Sequence, residues 1–126
     1  MSSTSDRLAL LGLEVRCVIG DLPEERGREQ SLVMDVSLAC DLSLAGAHDV
    51  LEETVDYAAL AEAIRVDLQQ ARCRMIEHAA ERVARVCLAQ ARVTEVTVHL
   101  EKAGAVSGLR AAAVTITRQQ QDGSAS

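Results

Sequence analysis

Apolar residues fall on alternate positions from Leu11 to Ile19: Leu11, Leu13, Val15, Cys17 and Ile19 share one parity. A period of two puts one set of side chains on one face, so this segment is expected to be a half-buried strand. A loop follows, Gly20 to Glu29, holding the only proline, Pro23. Beyond it Leu32, Met34, Val36, Leu38, Cys40 and Leu42 alternate with polar positions that include Asp35, Ser37 and Asp41. Two such strands joined by a loop predict an antiparallel pair. After a polar stretch, Gly46 to Thr54, the period changes. Leu60, Ala61, Ile64, Leu68 and Ala71 recur at helical spacing, with Asp56 placed as the N-cap. A break near Cys73 and Arg74 precedes a second helical run, Ile76, Ala79, Ala80, Val83, Val86 and Cys87. On its polar side Glu81 stands four residues before Arg85, the spacing of a favourable ion pair. Strand spacing returns at Val96, Val98 and Leu100, then from Leu109 to Thr117, where Val114 and Ile116 are in phase. The order ββααββ predicts an α+β domain, an antiparallel four-stranded sheet with two helices on one face. That domain is expected over 8–118, with a flexible N-terminus at 1–7 and a polar, disordered tail at 119–126.

Composition changes this picture in one respect. The chain of 126 residues is sized for a single domain, yet it has no Trp, no Phe and one Tyr. Its core must be built from Leu, Val, Ile and Ala, which fill less volume each, so burial between subunits is expected to supplement a thin monomer core. The net charge of -6 argues against a nucleic-acid partner, which calls for clustered cations. No apolar run approaches the ~20 residues of a membrane span, and Met1 to Arg7 lacks the apolar stretch of a signal peptide. A cytoplasmic protein without a membrane partner is the expectation. Cys17, Cys40, Cys73 and Cys87 form no C-x-x-C pair and have no His at zinc-ligand spacing, so free, buried or half-buried thiols are expected. His48, His78 and His99 match no zinc motif, and no metal site is expected. Neither a phosphate-binding glycine loop nor a nucleophile elbow is present.

Candidate chemistry rests on singular residues. Lys102 is the only lysine; every other fixed cation is Arg. It is expected in a glycine-containing loop, Leu-Glu-Lys-Ala-Gly-Ala-Val, that leaves a strand. Arginine keeps its proton near neutral pH whereas lysine can exchange it, so a lone Lys fits proton transfer, though a single surface lysine also occurs by chance. Tyr57, the only aromatic residue, opens the first helix, where packing with the hydroxyl at the rim is the simpler account. Glu77 lies in the first turn of the second helix, where a carboxylate complements the dipole. It could also accept two parallel N–H donors. Glu24, Glu25 and Glu29, beside Arg26 and Arg28, make a charged loop between strands: usually solvated, but also where catalytic groups commonly sit.

Together these pieces resemble the dihydroneopterin aldolase family, from about Leu8 to Arg118. Ile-Gly-Asp-Leu-Pro-Glu-Glu-Arg-Gly-Arg-Glu-Gln, Ile19 to Gln30, is similar to the family loop, with Gly20, Glu25, Glu29 and Gln30 in register. Val-Asp-Tyr-Ala-Ala-Leu-Ala-Glu, Val55 to Glu62, is similar to its helix-opening tyrosine motif. Met-Ile-Glu-His-Ala-Ala-Glu-Arg-Val-Ala, Met75 to Ala84, is similar to its Leu-(Leu/Ile)-Glu helix start, and Leu100 to Val106 to its lysine loop. Each motif is weak alone; together, in order, with the sole Tyr and sole Lys in matching places, they are specific.

The resemblance implies the tunnelling fold (T-fold), in which four subunits close their sheets into an oligomeric barrel and two rings usually stack into an octamer, with active sites between subunits. It implies retro-aldol cleavage of 7,8-dihydroneopterin, a small-molecule reduced pterin, to 6-hydroxymethyl-7,8-dihydropterin and glycolaldehyde in folate biosynthesis. The substrate's C6=N5 imine takes up the electrons of the broken bond, so no cofactor is implied. The implied catalytic residues are Lys102, working through a water, Tyr57, reaching from a neighbouring subunit, and Glu25, orienting the lysine or the side-chain hydroxyls. For substrate binding, Glu77 and a backbone group near Ile76 would hold the pterin edge, with Leu22 and Val55 packed on the ring. The chain departs from the usual Lys-Pro-Gly at Lys102-Ala103-Gly104, which frees a backbone angle. Two rivals share much of this pattern. One is an epimerase of dihydroneopterin triphosphate, for which Arg26, Arg28 and Arg110 offer cations; its lysine loop tends to read Lys-Pro-His. The other is a non-catalytic tunnelling-fold protein that binds a pterin or purine.

Overall fold

Alternating aliphatic residues fold into strands because the pleat lets them share one dry face. The computed structural model describes residues 6–120. Its strands are β1 (Arg7–Val18), β2 (Glu29–Ala39), β3 (Glu95–Ala103) and β4 (Ala111–Gln119). They form one sheet in the order β1-β2-β3-β4, each neighbouring pair antiparallel. Between β2 and β3 run a short helix α1 (Ser43–His48) and the long helices α2 (Tyr57–Ala71) and α3 (Ile76–Leu88). The expected α+β order ββααββ is therefore what forms. Helix α1 and a single 3-10 turn, Leu51–Glu53, occupy much of the stretch read as polar loop.

The sheet turns Val15, Leu32, Met34, Val36, Val98 and Leu100 toward the helices, where all are buried. Leu60, Ile64 and Leu68 meet them from α2, four residues apart and hence on one stripe. From α3 come Ala79, Ala80, Val83, Ala84 and Cys87, whose small side chains let the helix lie close to the sheet. Each Leu or Ile so buried contributes about 2 kcal/mol. Asp56 caps α2 as expected, its carboxylate accepting the Ala59 N–H at 3.1 Å. All four cysteines are free and buried, in line with the sequence reading. Among the described residues no helix is long and apolar enough to cross a membrane.

Three expectations are corrected. The single parity from Leu11 to Ile19 breaks: Leu11 is 76% exposed. Leu10 pairs with Val36 and Leu13 with Met34, so Leu11 and Gly12 together face Asp35 as a bulge. Gly12 takes φ +69, and its N–H is accepted by the Asp35 carboxylate at 2.8 Å. The extra residue switches parity, so Leu8 and Leu10 pack on the core ahead of the bulge and Val15 and Cys17 behind it. Next, the ordered domain extends past 8–118: Arg7 begins β1, Gln119 ends β4, and Gln120 donates to Leu88 O at 2.8 Å. Asp6 is placed as well, its carboxylate accepting the Leu42 N–H at 3.1 Å, and the remainder of the segments expected to be flexible or disordered, 1–5 and 121–126, lies outside the described residues. Finally, Glu81 pairs with Arg118 of β4 at 2.9 Å rather than with Arg85.

Candidate active site

Lys102 stands inside β3, not in the loop after it. It continues the phase of Val96, Val98 and Leu100 and sits opposite Leu32. That phase turns it toward the core side at the end of the sheet, where it is only 8% exposed. A cation there needs a partner. The partner is Glu25, on a 3-10 turn (Pro23–Glu25) in the β1–β2 loop. Lys102 Nζ donates to Glu25 Oε2 at 2.7 Å, and Gln30 Nε2 donates to the same oxygen at 3.2 Å. Glu25 Oε1 accepts the Leu22 N–H at 3.2 Å, and Gln30 Nε2 also reaches Ile19 O at 2.7 Å. The lysine bond, helped by Gln30 and the Leu22 N–H, lowers the Glu25 pKa to about 2. Gly20 leaves space for this carboxylate: at φ +128 a β-carbon would overlap the Glu25 carboxyl group.

The same loop is fastened to the turn between α2 and α3. Gly20 N–H donates to Cys73 O at 3.1 Å. Arg26 donates to Gly20 O at 2.8 Å, Cys73 O at 3.2 Å and Arg72 O at 2.7 Å. Arg72 Nη2 returns a bond to Arg26 O at 2.8 Å, and Arg74 pairs with Asp21 at 3.0 Å. This turn leads into α3, whose first turn carries the half-buried Ile76 and the exposed Glu77. Met75 at the N-cap supplies no side-chain bond. The helix start therefore offers a carboxylate acceptor beside N–H groups that have no intrahelical partner.

The structure thus joins Lys102 and Glu25 directly and fastens their loop to the turn that precedes Ile76 and Glu77. Leu22 lies on that loop, 56% exposed. It does not bring Tyr57 or Val55 to the pair. Val55 belongs to the hydrophobic core at 2% exposed, so within one chain it presents almost no surface to a ring. Tyr57 is 62% exposed and lines a cleft of about 410 Å³ with Leu8, Leu10, Leu13, Ala58 and Ala61. Leu10 lies in the strand row of Val36 and Val98, and Lys102 is four residues beyond Val98, about 13 Å along the strand. In the sequence, Gln30 and Gly20 stand out only as members of a motif, and Arg26 only as a loop cation open to solvent or to a triphosphate. No local signal announces Arg26, because its bonds to the α2–α3 turn cross 46 or 47 residues.

Known proteins resemble this chain in sequence and in fold. The sequence-family model described as dihydroneopterin aldolase matches residues 8–117. A dihydroneopterin aldolase of Streptomyces coelicolor is 37% identical over 112 residues, which cover 89% of this chain and 94% of that protein. The crystal structure of Escherichia coli dihydroneopterin aldolase in complex with neopterin superposes with a TM-score of 0.85 at 33% identity, covering 90% of this chain and 98% of that one. Burkholderia thailendensis dihydroneopterin aldolase bound to guanine gives a TM-score of 0.77 at 28% identity, with 92% of both chains covered.

Proposed function

The chain belongs to the dihydroneopterin aldolase family, and from that premise we propose that its nearly buried lysine–carboxylate pair moves the protons of a retro-aldol cleavage. The enzyme splits 7,8-dihydroneopterin into 6-hydroxymethyl-7,8-dihydropterin and glycolaldehyde, a step of folate biosynthesis. The observation that carries the assignment of roles is the 2.7 Å contact between Lys102 Nζ and Glu25 Oε2. An ammonium has three N–H donors, and with one given to Glu25 the others are available to a substrate hydroxyl or a water.

The chemistry needs three things: loss of the 2′-hydroxyl proton, rupture of C1′–C2′, and a proton delivered to C1′. The bond's electrons pass into the C6=N5 imine and return to C1′ as the proton arrives, so the substrate serves as its own electron sink. Lys102 handles the proton at the hydroxyl and enol stages through a water. Glu25, whose pKa of about 2 keeps it ionised at neutral pH, orients the lysine rather than donating a proton. Glu77 accepts from the pterin 2-amino group and ring N–H, the backbone at Ile76 assists, and Leu22 covers one ring face. Tyr57 comes from a neighbouring subunit, where it helps protonate the enol, while Val55, held in its own chain's core, shapes the start of that helix from beneath. The exposure of Tyr57 and its distance from Lys102 within one chain support this arrangement. Four chains close a barrel, alone or as two stacked rings, in the cytoplasm. A free hydroxyl chain suits the site better than a triphosphate, because Arg26 is committed to backbone carbonyls and Arg110 pairs with Glu101, which leaves Arg28 alone of the three cations for a phosphate chain.

The test is incubation of the pure protein with 7,8-dihydroneopterin, followed by oxidation and fluorescence-detected chromatography. A 6-hydroxymethylpterin peak is the expected result, with monapterin beside it if the fragments rejoin on the opposite face. Absence of both with the free substrate, and turnover of the triphosphate instead, would replace the aldolase by an epimerase.

A further inference from the structure

Arg26 directly follows Glu25, yet its guanidinium bonds to three backbone carbonyls rather than to an acid. One of them, Gly20 O, is at the start of the loop that holds Glu25; the other two, Arg72 O and Cys73 O, are at the turn that launches α3. Arg72 closes the bracket from the other side by donating to Arg26 O at 2.8 Å. That turn is one a side-chain-bearing residue adopts rarely, since Arg72 holds φ +50 at the end of α2. A planar fork of five N–H donors suits several carbonyls arranged around it, which a lysine's point charge does not reproduce.

We infer that Arg26 is a positioning residue that sets the spacing between the Lys102–Glu25 pair and Glu77. The inference rests on the site reading above. A pterin gripped at Glu77 must present its C1′–C2′ bond to Lys102, and these groups come from different elements: Glu77 from α3, Lys102 from β3, Glu25 from the β1–β2 loop. Arg26 touches no reacting atom. It locks the loop to the helix start, so the reach from ring to lysine does not drift. A misplacement of about 1 Å from a remote change can cost about 100-fold in rate.

The full-length chain and its Arg26→Ala and Arg26→Lys variants are compared in three measurements. These are single-turnover cleavage of 7,8-dihydroneopterin, neopterin binding by fluorescence titration, and thermal unfolding. Arg26→Ala is expected to slow cleavage about 10- to 100-fold while neopterin affinity stays within about threefold, because Glu77 and its helix remain. The shape of the rate–pH profile is expected to persist, since no proton carrier is removed. Arg26→Lys, able to meet fewer carbonyls, falls between. An undiminished cleavage rate in folded Arg26→Ala overturns the role, as does weakened neopterin binding with the cleavage rate intact. Should Arg26→Ala not fold, Arg26→Lys decides: a slower rate supports the role, and a lower Tm with an unchanged rate overturns it. A wild-type chain without turnover would overturn the aldolase reading and this inference with it, whereas wild-type turnover with an undiminished variant rate overturns only the role of Arg26.

Discussion

Lys102 and Glu25 depend on each other, since each is an ionisable group with most of its surface withdrawn from water. Removing the lysine leaves the carboxylate with only Gln30 and one N–H. Lys102→Met is therefore expected to lower stability by about 3 kcal/mol and kcat/KM by about 1,000-fold, read by urea denaturation and by the chromatographic assay. Retention of more than a tenth of the wild-type kcat/KM would remove Lys102 from the proton path. The pair also makes a pH signature. Folding lowers the Glu25 pKa from 4.5 to about 2, so the unfolded chain binds that proton more tightly. The stabilisation is complete above about pH 4.5 and is lost as pH falls toward 2. The stability gap between wild type and Glu25→Gln should accordingly be constant at neutral pH and shrink across that acidic window. Denaturant titrations at several pH values check this, and a gap that stays level to pH 2 would contradict the assignment.

At the level of elements, two glycines decide what the strands present. Gly12 allows the bulge that flips parity in β1, with Asp35 of the neighbouring strand accepting its N–H. The flip turns Leu11 outward and keeps Leu8 and Leu10 on the wall of the Tyr57 cleft. Gly20, by contrast, lies two residues past the end of β1, where the Glu25 carboxyl fills the space of a side chain. Gly20→Ala combines an unfavourable φ with a displaced carboxylate, and a loss of about 2 kcal/mol with sharply reduced turnover is expected. Thermal unfolding and the cleavage assay measure the two effects. Turnover at the wild-type level would mean that the carboxylate can sit elsewhere without consequence.

Taken as a whole, the chain leaves two kinds of surface open. Strands β1 and β4 each have one unpaired edge, and the sheet face away from the helices is polar, with His99 bonded to Thr115 at 2.7 Å and Glu101 at 2.9 Å. Leu11 and Tyr57, both exposed, line one cleft beside β1. Ring closure would satisfy the edges and bring a neighbour's tyrosine to the lysine. Mixing Lys102→Met with Tyr57→Phe chains under conditions that dissociate and reassemble them tests this. If each site takes its lysine from one chain and its tyrosine from the next, about a quarter of the sites in random rings are intact. Activity should then rise toward that share of wild type, whereas both residues drawn from one chain would leave the mixture as inactive as its parts.

The order of elements was legible in the chain because burial on one face of a strand or helix imposes a period, and that period survives in Met34, Val36 and Leu38 or in Leu60, Ile64 and Leu68 without reference to anything distant. The candidate chemistry was legible for a different reason: a sole lysine and a sole tyrosine stand out by count. Lys102 could even have been placed in the strand, since it keeps step with Val96, Val98 and Leu100. The bulge was not legible, because a single alternation continues through Leu11 and only the pairing of Gly12 with Asp35 reveals the extra residue. Nor was the contact of Arg26 with Arg72 and Cys73, and that of Lys102 with Glu25 was implied only by the family resemblance, because hydrogen bonds between residues 46 to 77 apart leave no periodic trace. Local pattern records what each segment buries; only folding decides which segments share that burial, and the site is built where the β1–β2 loop, the α2–α3 turn and the end of β3 converge.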